Sequence, residues 1–116
     1  MTKFRERCHE LNFEAFDYRV RIIFTSNVVG SRTKRDSLLG RYDGASALAM
    51  HDYVPDKAQS YLFLPLDAAA STIAHECWHV VRRMLALCGA GLDNEVVAYH
   101  LGHLVGEVHK FQKRSR

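Results

Sequence analysis

No stretch of the sequence approaches the ~20 consecutive apolar residues that a membrane-spanning helix needs, so no membrane partner is expected. The N-terminal Met-Thr-Lys-Phe-Arg-Glu-Arg lacks the apolar core of a signal peptide, which makes a cytoplasmic setting the expectation. Cysteine is scarce. Cys8, Cys77 and Cys88 are odd in number and show no C-x-x-C spacing, so a disulfide framework is not expected and reduced thiols fit better. A strong excess of one charge is also missing. The formal net charge is +3, and much of it sits in Lys110, Lys113, Arg114 and Arg116 and in Arg32, Lys34 and Arg35. Such runs read as solvated surface, and nucleic acid is not the expected partner. There is no internal repeat, low-complexity segment or linker. At 116 residues the chain is expected to be one domain, 1–116, with one modest core.

The first half reads as a few short elements. Phe4, Cys8 and Leu11 share one side of a possible short helix over 3–11. Tyr18 to Thr25 alternates and then turns wholly apolar, as a strand entering a core does. Between Asn27 and Gly40 the chain is polar and basic; Val28, Val29, Leu38 and Leu39 can anchor a short helix that Gly40 stops. Tyr42-Asp43-Gly44 marks a turn, residues 45–53 read as a second strand, and Pro55-Asp56 is a further break. Ser60 to Pro65 is a third strand, ended by its proline.

The second half is helical. Asp67 can cap a helix running from Ala68 to about Cys88, with Gly89 and Gly91 ending it. Asp93 can cap a second, from Asn94 to about Phe111. At roughly 100° per residue, Ile73, Cys77, Val80, Val81, Met84 and Cys88 form one apolar stripe of the first helix. Cys77 and Cys88 on that stripe read as small buried hydrophobes. His75, His79 and the small Ala86 fall on the opposite side.

That placement gives His75-Glu76-Cys77-Trp78-His79 its meaning. Two imidazoles four residues apart share a helical face, with Cβ atoms roughly 5–6 Å apart, and can reach one zinc ion together. Glu76 then sits beside the metal as a base for the water that the metal activates. On the second helix Val97, Leu101, Leu104 and Val108 make the stripe, and Glu95 points the other way with Tyr99 one turn along. Ala98, Gly102 and Gly106 line up beside them. Helical glycines cost up to about 1 kcal/mol each relative to alanine, so their presence suggests a neighbour at close approach. The natural neighbour is the first helix, which would bring the Glu95 carboxylate against the imidazoles. Asp93, His100 and His103 are the other candidates for a third ligand. Two His and one Glu with an open fourth position is a catalytic zinc set.

His75-Glu76-x-x-His79 followed by Asn94-Glu95-Val-Val-Ala-Tyr99 resembles the gluzincin branch of the zincin metallopeptidases, over residues 71–110. The metzincin pattern is absent, because Arg82 and Leu85 stand where its glycine and third histidine would be. The run from Glu95 to Val105 is also similar to small proteins encoded by phages and prophages. The gluzincin resemblance implies zinc as cofactor, Glu95 as third ligand, and Tyr99 or His103 as a hydrogen-bond donor to the oxyanion of a tetrahedral intermediate. It implies a minimal zincin-like α+β fold: a small mixed three-stranded sheet, an active-site helix and a C-terminal glutamate helix.

Trp78 borders the metal face and suits either packing or a pocket wall. Arg82, one turn beyond His79, suits contact with Glu95, a substrate carboxylate or solvent. His9, His51 and His109 carry no assignment. The expected activity is zinc-dependent hydrolysis of a peptide or protein substrate, with strands 45–53 and 60–65 as an edge for an extended chain. The alternative is a catalytically silent, metal-stabilised assembly or interaction protein on the same scaffold.

Overall fold

Tyr18–Thr25 is a strand (β2) near the middle of the sheet, with the bounds its pattern suggests, in a computed structural model that describes residues 4–44 and 47–115. On one side it pairs antiparallel with β1 (Glu6–Phe13), in register from Glu6 opposite Thr25 to Phe13 opposite Tyr18. On the other it pairs parallel with β4 (Gln59–Pro65), which pairs antiparallel with β3 (Met50–Tyr53). The mixed sheet is therefore four-stranded in the order β1-β2-β4-β3, not three-stranded as expected.

The extra strand is the segment whose spacing suggests a helix over 3–11. Long-range pairing overrides the local pattern there: one edge of β2 would otherwise leave its backbone groups unpaired. His9, Leu11 and Phe13 turn inward while Cys8, Glu10 and Asn12 are exposed, the period of a half-buried strand. The expected strand over 45–53 shortens to Met50–Tyr53; Ala45 and Ser46 lie outside the described residues.

Both sheet faces are covered, which explains the unbroken apolar run in β2. Val20, Ile22 and Phe24 of β2 and Leu62 and Leu64 of β4 join the larger core. Ile23, Tyr61 and Phe63 point the other way, onto Val28 and Leu39. Those two come from separate short helices, α1 (Val28–Thr33) and α2 (Asp36–Leu39), where a single helix was expected. Buried Arg32 ties this layer to the sheet edge. Its Nε donates to Asp52 of β3 at 2.7 Å, and its other nitrogens donate to Asp36 at 3.0 Å and to the Gly40 carbonyl at 2.7 Å.

The larger core is closed by two helices, α3 (Ala70–Leu87) and α4 (Asn94–Arg114). Ile73, Cys77, Val80, Val81, Met84 and Leu85 of α3 are fully buried, as are Leu104 and Val108 of α4. Each large apolar side chain so buried contributes about 1.5–3 kcal/mol. The α3 stripe departs from the expected one in two places: Leu85 joins it, and Cys88 is exposed, with its thiol 3.6 Å from the Phe16 carbonyl. Asp67 does not cap α3: Ala68 first turns back to the Pro65 carbonyl, and the cap falls on Ala69. The far end is a Schellman turn, with Gly89 N–H on the Ala86 carbonyl, Ala90 N–H on the Leu85 carbonyl, and Gly89 at φ +73°. Asp93 caps α4 as its position suggests, accepting from the Glu95 and Val96 amides at 3.0 and 3.3 Å.

The Gln112 amide of α4 donates to the Ala68 carbonyl at 2.9 Å, so α4 runs back antiparallel to α3. It lies over the β1 side, where Phe111 stacks on His9 at 4.4 Å between centroids. The line of small residues does not meet α3: a Cβ at Gly102 or Gly106 would have nothing within 4 Å. The stripe through Leu104 and Val108 makes the contact instead. Among the described residues, no helix is long and apolar enough to cross a membrane.

Candidate metal centre

The helix turns His75 and His79 away from the buried stripe, and their Nε2 atoms stand 3.3 Å apart with the rings edge to face. Two nitrogens at about 2.0–2.1 Å from one ion and roughly tetrahedral about it would be about 3.3–3.4 Å apart, so the pair fits a shared zinc. The same spacing also suits a hydrogen bond from one imidazole to the other. Glu76 is buried, 7% exposed, and its carboxylate joins the two imidazoles in a group whose candidate ligand atoms all lie within 4.8 Å of one another. Among the described residues no other protein group donates a hydrogen bond to that carboxylate.

The side chain that meets His79 comes from β3 and not from α4, the neighbour expected. His51, on β3, lies parallel to His79 at 6.1 Å between centroids and 11° between planes. Its Nε2 shares a 2.8 Å hydrogen bond with Ser60 Oγ on β4, which also bonds the buried Tyr18 hydroxyl on β2. Burial pushes the His51 imidazole down to about 4, helped by the neighbouring His79 and Arg83 and opposed by Asp52. A neutral ring hydrogen-bonded into the sheet is the result. Nothing in the spacing around His51 marks it; only the β3–β4 register, with His51 opposite Leu62, carries it to α3.

The residues expected on α4 are elsewhere. Glu95 is exposed on the first helical turn and is not part of the His75–Glu76–His79 group. Tyr99 is 73% exposed, and with His100 and His103 it lines a cavity against Asn12–Phe16 at the end of β1. Phe13 meets the rings of His100 and His103 edge-on at 6.0 and 5.8 Å. β1 and β3 are opposite edges of the sheet, so these side chains and the His51–His79 contact lie on opposite sides of the molecule. The α4 stripe explains the difference: burying Leu104 and Val108 turns Glu95 and Tyr99 to solvent. Asp93 is engaged as a cap. Cys77, inside the α3 core, has its thiol pushed up to about 12 by burial and then by Glu76, which suits a packing role.

A trough runs along α3 beside β3. One cavity of about 270 Å³ is lined by Leu48, Ala49, Ser71, Thr72, His75 and Glu76. Through Leu48 and Thr72 it meets a larger one of about 600 Å³ that reaches Asn27 and Val29. Beyond His79 lies a third, of about 280 Å³, between Tyr53 and Arg82. β3, the last strand of the sheet, contributes His51 and Tyr53 to the third cavity. No protein-family model, no curated protein and no solved structure matches this chain.

Proposed function

We propose that the chain is a zinc-dependent hydrolase of peptide bonds, the activity its gluzincin-like motifs imply. The observation that carries this reading is the 3.3 Å separation of the His75 and His79 Nε2 atoms with the buried Glu76 carboxylate beside them. His75 and His79 would hold the metal; Glu95, the third ligand the resemblance implies, stands outside their group and would join it only by a shift of the first turn of α4. Zinc at such a site supplies a Lewis acid for the scissile carbonyl and a water whose pKa is lowered towards ~7. With zinc bound, Glu76 would accept the proton of the attacking water and return it to the leaving amine as the C–N bond breaks. An extended peptide would lie along the free edge of β3 and pair with its backbone.

One observation favours a second reading. The described residues bring only two imidazoles and one carboxylate together, and a catalytic zinc set has three ligands besides the base. A metal-stabilised interaction protein would need no base at all. Glu76→Gln separates the two readings. It keeps size and much of the hydrogen bonding, so zinc content and fold stability should match the wild type. Turnover of a peptide substrate should fall by at least about 10²–10⁴-fold. Wild-type turnover by the glutamine variant would defeat the hydrolase.

A further inference from the structure

The cavity beyond His79 differs in charge from the rest of the trough. Its walls are His51, Tyr53, His79, Arg82, Arg83 and Ala86, with no carboxylate among them. The nearest acidic side chain on β3, Asp52, is held by Arg32 at 2.7 Å. Arg83 is fixed in place: its guanidinium lies 3.7 Å over the Tyr53 ring and donates to the Lys57 carbonyl at 3.1 Å. Its Nε is buried and has no hydrogen-bond partner among the described residues. Arg82, one helical position earlier, is exposed and makes no ion pair among the described residues. Two guanidinium groups converge here, one anchored and one free, beside an imidazole of the candidate metal pair. Unpaired cations so placed favour an anion, and a planar guanidinium matches a carboxylate through two parallel hydrogen bonds.

We propose that this cavity is a subsite for a substrate carboxylate, so that the chain selects peptides carrying an acidic group next to the bond at His79. The inference rests on the peptide-hydrolase reading and adds the substrate class to it. The free guanidinium of Arg82 engages the carboxylate. Arg83, stacked on Tyr53, supplies fixed positive charge behind it. The carboxylate has two possible sources, an Asp or Glu side chain or the C-terminus of the peptide, and both present the same planar anion.

Binding tests this without depending on turnover. Three fluorescent decapeptides of Ala, Gly and Ser would be titrated against the full zinc-loaded chain carrying Glu76→Gln, which keeps them whole. One has a central Glu and capped ends, one a central Gln and capped ends, and one a central Gln with a free C-terminal carboxylate. The expected result is that the Glu peptide, the free-carboxylate peptide or both bind roughly five- to tenfold more tightly than the capped Gln peptide. Arg82→Gln should abolish that preference, and Arg82→Glu should reverse it, so that the capped Gln peptide binds more tightly than the Glu peptide. Arg114→Gln, at the far end of α4, should change nothing, which separates a local subsite from the chain's general positive charge. Equal binding of all three peptides, no binding of any, or a preference that survives Arg82→Gln would overturn the subsite. Failure of the hydrolase reading looks different: acid preference that depends on Arg82, with no cleavage of any of the three peptides by the wild-type chain.

Discussion

His51 of β3 lies parallel to His79 of α3, 6.1 Å away between ring centroids. The contact joins the last strand of the sheet to the helix that carries the metal motif, and His51 is in turn held by Ser60 from β4 at 2.8 Å. The position of the candidate metal face is therefore tied to the sheet edge, which gives several expectations their form.

The first concerns zinc. Purified protein should hold close to one zinc per chain, and His75→Ala or His79→Ala should remove stoichiometric binding. Glu95→Gln should weaken zinc affinity more than His51→Ala, because a carboxylate offsets the charge of the ion while His51 is already bonded to Ser60. Since Glu95 stands outside the group, zinc loading should also slow hydrogen exchange in the first turn of α4. The reverse ranking, with exchange unchanged, would move the third ligand to β3.

Arg32 should matter to the site from a distance. Its buried guanidinium clamps Asp52 of β3 and Asp36 of α2, and alanine would leave those carboxylates and the Gly40 carbonyl without their donor. Arg32→Ala is expected to cost about 2–3 kcal/mol in urea unfolding and to speed amide exchange in β3. A loss below about 0.5 kcal/mol would show that the clamp is incidental.

Glu6 should make the fold acid-sensitive. Burial tends to raise its pKa, but hydrogen bonds from Arg35, Ser31 and Lys34 outweigh burial and hold the carboxyl down to about 2, from a usual 4.5. A depressed carboxyl stabilises the fold above its unfolded value, and that contribution disappears as pH falls from about 4.5 towards about 2. Glu6→Gln should thus be less stable than the wild type at pH 7. The two should converge on acidification through that window. Parallel stability curves across it would refute the assignment.

Gly102 and Gly106 offer a check on the packing of α4. A methyl at either position meets nothing within 4 Å, so Gly102→Ala and Gly106→Ala should each stabilise the chain by about 0.4–1 kcal/mol. Destabilisation would mean that another surface covers this face in solution.

What local pattern could determine, the sequence determined. The four-residue spacing of His75 and His79 opposite Ile73, Cys77, Val80, Val81 and Met84 placed the pair on the outer face of a helix, because helical period alone sets which residues share a side. The bounds of β2 and the Asp93 cap were legible for the same reason: each depends on residues within a turn or a strand of one another. The tertiary structure decided what faces the pair. Residues 6–13 are a strand because β2 offers them an edge 19 to 5 positions away in register, from Glu6↔Thr25 down to Phe13↔Tyr18 with Asp17 turning the chain at φ 49°, and no local period encodes that partner. Glu95 and His51 divide in the same way. Their spacing along the chain favours Glu95, but burial of Leu104 and Val108 swings α4 over β1, while the β3–β4 register delivers His51 to His79. Side-chain period selects a face of one element; only the packing of whole elements selects which face it meets.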